Sequence, residues 1–160
     1  MFTHEPPGYE CLICRIISEA KAAPFPPGSD VIYQDKLVTA FLGIWHWPNI
    51  PVDILLSPNQ HIENLYDFPP RLAPDFHRVT RAMALTLKYV YQCDGVTIRQ
   101  HNEPAGDQDI WHYHLHVIPR FNEDNFSKNR RLFLPDKERS EHVHRLREYI
   151  GTSHEILFSE

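Results

Sequence analysis

Trp111-His112-Tyr113-His114-Leu115-His116-Val117-Ile118 is the stretch on which the fold and chemistry of this chain turn. Histidine recurs at every second position, and Tyr113, Leu115 and Val117 fill the places between. A strand turns successive side chains to opposite faces, so the spacing predicts a strand with His112, His114 and His116 on one face and an apolar row on the other. Three imidazoles spaced ~7 Å apart form a polar strip that a hydrophobic core has no use for. The strip is either a solvated strand face or a working site. The clean apolar row opposite it, and the loop 101–109 with Pro104 and Gly106 that leads into it, favour a working site.

Outward from this stretch, the pattern predicts an α+β fold with a mostly antiparallel sheet. Upstream, 95–100 reads as a strand. Residues 74–92 read as the one long helix: Phe76, Val79, Met83, Leu87 and Val90 keep the spacing of one buried stripe, Pro74 suits a first turn, and Asp94-Gly95 suits an end. Before it, 31–33 and 37–42 read as strands joined by a turn at 34–36, and 52–56 as a third strand ended by Ser57-Pro58. The segments 22–30 and 45–51 are proline-rich loops, and Trp45 and Trp47 in the second are candidate pocket walls. Residues 1–10 form an irregular arm, and a helix starts after Cys11. Beyond the strip, 121–134 is polar and irregular. A short amphipathic helix over 136–150 then places Val143, Leu146 and Ile150 on one face and stops at Gly151. The expected organisation is one domain over 1–120 and an extension over 121–160, packed on that domain or on a partner subunit.

The bulk numbers restrict the function classes. A chain of 160 residues with 42% hydrophobic and 23% charged residues supports one globular core. The net charge of −5 argues against general nucleic-acid binding, although Lys128, Arg130 and Arg131 leave room for a local basic site. No apolar run reaches the ~20 residues of a membrane span, and the first residues lack the pattern of a secretion signal. Three cysteines, an odd number, point to a reducing cytoplasm rather than a disulfide framework. Cys11 and Cys14 have the spacing of a metal-binding pair, and two buried thiols account for it equally well. Cys93, at the end of the long helix, reads as a small buried hydrophobe.

Residues 112–118 resemble the histidine-triad (HIT) family signature, His-φ-His-φ-His-φ-φ with φ apolar. Three further stretches are similar to the family in the same order: 11–17, which resembles the opening of bacterial zinc-carrying members; 55–65, with its Pro-x-x-His-x-x-Asn; and 106–112, which includes Gln108. The resemblance covers 11–118. It implies a HIT-like fold: a five-stranded antiparallel sheet, one long helix and a C-terminal helix, in a homodimer whose sheets join.

The resemblance also implies the chemistry. A neutral imidazole is a good nucleophile toward phosphorus near pH 7, and its phosphoramidate adduct is labile enough to be cleaved afterwards. The family's nucleophile, its middle histidine, is His114 here. It would attack the α-phosphorus of a nucleoside phosphoramidate or dinucleoside polyphosphate and pass through a nucleotidyl-histidine. His116 would hold a phosphate oxygen, with Gln108 and the 106–109 backbone taking the others. The family's phosphate-binding Asn falls on His101 by gap-free count and on Asn102 by residue type. Phe41, Leu42 and Ile44, with Ile13 and Ile16 opposite, would line the base of a purine nucleotide, and all five could equally be core. Cys11, Cys14, His61 and His112 match the ligands of a structural zinc, which staples the fold and takes no part in catalysis. The chain departs from the family at three positions. Gly43 stands where members carry a ribose-binding Asp, Asp53 replaces a His, and Asp109 replaces a Ser or Thr beside the phosphate. These departures motivate a second reading, a nucleotide-binding regulatory module with weak turnover. A third reading is a catalytic transition metal held jointly by His112, His114 and His116.

Overall fold

The computed structural model describes residues 2–20, 25–26 and 28–159, so positions 22–24 and 27 of the expected loop lie outside the described residues. Along the described residues run α1 (Leu12–Glu19), β1 (Val31–Gln34), β2 (Val38–Leu42), β3 (Trp45–His46), β4 (Ile54–Pro58), α2 (Ala73–Tyr91), β5 (Gly95–Gln100), β6 (Leu115–Arg120), β7 (Leu132–Phe133), α3 (Asp136–Thr152) and α4 (His154–Phe158). The main sheet has five strands in the order β1-β2-β4-β6-β5, and every pair is antiparallel. The fold is α+β, as expected. A second ribbon, β3 with β7, joins two segments that the sequence reads as irregular loops.

The long helix forms where its apolar stripe predicts. Phe76, Val79, Met83, Leu87 and Val90 are buried against the sheet. Its end differs from expectation. Gln92, at φ 52°, adopts the left-handed cap conformation that glycine usually supplies, and Gly95 instead opens β5. Gln92 Nε2 donates to the carbonyl of Tyr89 (2.7 Å), which takes up one of the helix's last free acceptors. α3 runs through Gly151 to Thr152, and α4 follows it. Val143, Leu146, Ile150 and Leu157 bury themselves in the same core as α2, so the segment after 121 completes the core on that face.

Two strands are displaced from their expected places. β4 begins at Ile54 rather than 52, because its ends follow the ladder with β2, in which Leu42 faces Ile54 and Val38 faces Pro58. Pro51, with no N–H to give, lies outside it. β6 begins at Leu115, so His112 and His114 precede the strand that was expected to carry all three histidines. The alternation of faces nonetheless holds. Tyr113, Leu115 and Val117 turn to the α2 side. The histidines turn away from it and are not solvated: His112, His114 and His116 are 0%, 4% and 8% exposed.

The face away from α2 is partly covered by α1, whose Ile13 and Ile17 pack on Val31 and Phe41. Directly opposed residues of antiparallel strands share a face. One row therefore crosses the whole sheet on this side: Val31, Phe41, Leu55, His116 and Arg99. The row passes from apolar to imidazole to guanidinium.

Candidate active site and metal centre

Cys11 caps the N-terminus of α1, its sulfur accepting from the Cys14 N–H (3.3 Å). The cap brings both thiols to the end of the helix, against two histidines from distant segments. Sγ of Cys11 lies 3.3 Å from Nδ1 of His112, and Sγ of Cys14 lies 3.2 Å from Nδ1 of His61 and 3.5 Å from that of His112. All four potential ligand atoms fall within 4.8 Å of one another. A tetrahedral zinc with ordinary Zn–S and Zn–N bonds has S···N edges of ~3.6 Å, so the set is close to the size the ion requires.

The hydrogen bonds around the cluster select the same atoms. His112 donates Nε2–H to the carbonyl of Pro58 (3.0 Å), and His61 donates Nε2–H to Glu5 Oε2 (2.8 Å). Each imidazole is thereby left with a bare Nδ1 toward the sulfurs, the usual outer arrangement of a ligating histidine. Burial holds His112 down at about 4, hence neutral. Burial, followed by the hydrogen bond and charge of Cys11, pushes the Cys14 thiol up to about 12, so two thiolates at this spot call for a cation between them. The residues fit a closed metal centre.

The catalytic candidates lie beside this cluster. His114 donates Nδ1–H to the carbonyl of His112 (2.7 Å), which leaves the lone pair on Nε2. Burial is the main cause of a pKa lowered to about 4, so His114 is a neutral imidazole near pH 7. His116 donates Nδ1–H to Asp53 Oδ2 (2.8 Å). Asp53 is itself buried, and its other carboxylate oxygen has no hydrogen-bond partner among the described residues. The imidazoles of His114 and His116 sit 5.1 Å apart, centre to centre. The His101 ring stands 5.6 Å from that of His116 on the other side.

Two cavities open from these histidines. The smaller, of about 150 Å³, is bounded by Ile13, Ile16, Phe41, Leu42 and Ile44 and ends on His114 and His116. The five residues named from the sequence for a base pocket thus come together. Trp45 and Leu55 add to the same wall. Gly43 lines it too, and so does Asp30, which sequence reasoning missed because it precedes β1 with no motif around it. Arg139 of α3 donates Nε–H to Asp30 Oδ1 (2.7 Å), so a carboxylate is held at this cavity although Gly43 offers none. The larger cavity, of about 570 Å³, lies on the other side of His116 and is polar.

The polar loop candidates behave differently from one another. His101 faces the polar cavity, its Nδ1–H donated to the Gly106 carbonyl (2.8 Å). Asn102 is turned away, bonded to the Leu65 N–H (2.7 Å) and to Gln100. The residue selected by the gap-free count, and not the one selected by residue type, faces the cavity. Gln108 reaches the polar cavity, but its amide is occupied. It accepts from the Glu103 N–H (2.8 Å) and donates to the carbonyls of Glu63 (2.7 Å) and Ile110 (3.1 Å), which orders the loop. Asp109 is exposed on the rim of both cavities and makes no side-chain hydrogen bond among the described residues, so it does not orient an imidazole directly.

The HIT domain sequence model matches residues 27–123. The chain belongs to the HIT family. It is similar to the HIT protein of Bacillus subtilis, 32% identical over 111 residues that cover 69% of this chain and 71% of the relative. It is also similar to the asymmetrical bis(5'-nucleosyl)-tetraphosphatase of Schizosaccharomyces pombe, 30% identical over 66% of this chain and 56% of that one. A zinc-bound HIT protein of Mycobacterium smegmatis superposes with a TM-score of 0.72 at 28% identity, covering 92% of this chain and 97% of the other. The residues of this HIT chain that precede 27 and follow 123, including Cys11, Cys14 and α3, lie outside the family model and are placed by the fold alone.

Proposed function

We propose that this HIT protein cleaves nucleotides at the α-phosphate, with His114 as nucleophile. One observation carries the reading: an apolar cavity that suits a base ends on an imidazole whose free Nε2 is kept unprotonated by burial. His114 Nε2 bonds to the α-phosphorus of a nucleoside phosphoramidate or dinucleoside polyphosphate, and the bond to the leaving group breaks with the electron pair going to that group: a polyphosphate leaves as an anion, and an amine takes up a proton from solvent as it leaves. Water then cleaves the N–P bond. Phosphorus takes the hydroxyl, one proton passes to solvent, and the neutral imidazole returns with the nucleoside monophosphate. His116, held by Asp53, meets a phosphate oxygen, and His101 assists from the far side. Phe41, Leu42, Ile44, Ile13 and Ile16 hold a purine base, and Asp30 takes the ribose contact that Gly43 lacks.

Cys11, Cys14, His61 and His112 would hold zinc as a structural ion. Because His112 is one of the ligands, the ion would tie the approach to β6 against α1 and leave His114 and His116 free for chemistry. Residues 1–120 form the HIT domain, and 121–160 an extension that packs on it. The functional unit is a homodimer formed through the free edge of β5, working in a reducing cytoplasm that keeps the thiols available.

The test is turnover of an adenosine phosphoramidate and a diadenosine polyphosphate by wild type and His114→Ala, with metal content read on the same wild-type sample. Wild-type turnover that drops roughly 10³-fold or more in the variant supports the covalent route. Equal turnover in the two defeats it. Nucleotide binding without turnover in wild type supports the regulatory reading instead, which the unpaired Asp109 on the rim favours.

A further inference from the structure

The polar cavity beyond His116 contains side chains that nucleotidyl transfer as proposed above does not use. Arg99 comes from β5, and Arg130 and Arg131 from the extension after the HIT domain. None of the three forms an ion pair or a side-chain hydrogen bond among the described residues, whereas Arg78, Arg120 and Arg139 all do. Arg99 is partly buried, with its guanidinium carbon 5.1 Å from the centre of the Trp47 ring and 5.2 Å from that of Phe126. Its Nε is buried with no partner, a costly arrangement for a donor on a charged group. Arg131 reaches both cavities, so it spans the boundary at which the reacting phosphorus would lie.

The row across the sheet gives these groups an order. Phe41 opposes Leu55, Leu55 opposes His116, and His116 opposes Arg99. At one strand spacing each, this runs base wall, catalytic imidazole and guanidinium over ~14 Å. A substrate whose base lies at Phe41 and whose α-phosphorus lies at His114 extends its leaving group toward Arg99. An amine leaving group offers nothing for guanidiniums to bind. A polyphosphate offers several pairs of anionic oxygens that the planar fork of a guanidinium can bind bidentately. Asp107 and Asp109 share the cavity and reduce its charge, but the guanidiniums outnumber them in a chain whose net charge is −5.

We propose that this cavity is a subsite for a polyphosphate leaving group, held by Arg99, Arg130 and Arg131. The inference rests on the nucleotidyl-transfer reading and names its substrate class. When His114 Nε2 bonds to the α-phosphorus, the bond to the bridging oxygen breaks and that oxygen keeps the electron pair. The polyphosphate leaves as an anion and needs no proton, and the arginines stabilise the charge that develops on it. The extension thereby supplies part of the active site as well as part of the core.

Two measurements test the subsite on the full chain. The first is the ratio of kcat/KM for diadenosine tetraphosphate to that for adenosine phosphoramidate, in wild type, Arg130→Met and Arg131→Met. Both arginines are exposed, so these variants fold even where Arg99→Met, which loses its stacking, does not. The ratio favours the tetraphosphate in wild type and falls about tenfold in each variant. A ratio that does not change overturns the subsite while leaving nucleotidyl transfer in place. The second is calorimetric binding of inorganic tripolyphosphate, which needs no turnover. Binding that weakens in both variants and with added salt supports the subsite even if neither substrate is cleaved, an outcome that would count against the transfer reading alone. Wild type that does not bind tripolyphosphate overturns it.

Discussion

At the residue scale, Asp53 is the departure from the family pattern that the structure pairs with a histidine. Its carboxylate sits behind His116 and accepts the imidazole Nδ1–H at 2.8 Å. The bond fixes the ring and leaves Nε2 free to face the cavities. Asp53→Asn keeps the size and loses the charge. It should lower kcat about 10²-fold with little change in KM or in thermal stability, as steady-state kinetics and calorimetry on one preparation would show. Equal losses in kcat and melting temperature would mark Asp53 as a packing residue. Asp124 is a second buried carboxylate with a different task. It accepts from Arg120 Nε and Nη2 (2.7 and 2.8 Å) and from the N–H groups of Phe121 and Phe126 (3.0 and 2.9 Å). The Arg120 hydrogen bonds hold its carboxyl well below the usual range. A depressed folded-state pKa contributes stability that is present above the unfolded value near ~4 and is lost as pH falls through the folded value. Asp124→Ala should therefore destabilise the protein near neutral pH by about 2–4 kcal/mol, and by progressively less below pH ~4. A denaturation series across that range checks both magnitude and sign.

At the element scale, α1 is the part most dependent on something outside its own sequence. It has 8 residues, below the length at which an isolated helix is stable, and only Ile13 and Ile17 are buried. Its docking rests on their packing against Val31 and Phe41 and on the cluster of Cys11, Cys14, His61 and His112. Metal analysis should return one zinc per chain. A strong chelator, or Cys14→Ala, should lower the melting temperature by roughly 10 °C and expose the apolar cavity that Ile13 and Ile16 wall off. Because His114 stands outside the ligand set, turnover should survive chelation at temperatures where the fold persists. Loss of activity that iron or manganese restores would return the catalytic-metal reading. The extension is the opposite case, since α3 and α4 are anchored by the core itself. Arg147 also donates to the carbonyls of Val31 (2.8 Å) and Ser29 (3.0 Å), which fastens α3 to β1.

At the scale of the whole molecule, the sheet ends in β5, whose outer edge is unpaired among the described residues and carries Ile98, 50% exposed. A free edge of this kind is a template for another strand. This unpaired edge is the surface to test for self-association. The solution mass should be twice that of one chain. Ile98→Arg should shift it toward one, as sedimentation or light scattering would show. A wild-type protein that remains a single chain at high concentration would place the edge outside any dimer interface.

The sequence alone determined what depends on local period and residue chemistry. The stripe of α2 and the alternation that turns three histidines away from the core were legible, because each is set by side chains at fixed spacing, while the candidate base-wall residues and candidate metal ligands came from the family resemblance, and the fold brings each set together. The sequence was silent wherever function rests on distance across the fold. Asp30 reaches the apolar cavity only because α3 packs against β1 and holds it with Arg139. Asn102 has the residue type but not the direction, since its side chain is taken by the Leu65 N–H and the Gln100 side-chain amide. The start of β6 at Leu115 follows from the ladders with β4 and β5, not from histidine spacing. The row Phe41–Leu55–His116–Arg99 joins four strands that are distant in the chain. Only the antiparallel register places them side by side and lines up an apolar wall, an imidazole and a guanidinium on one axis.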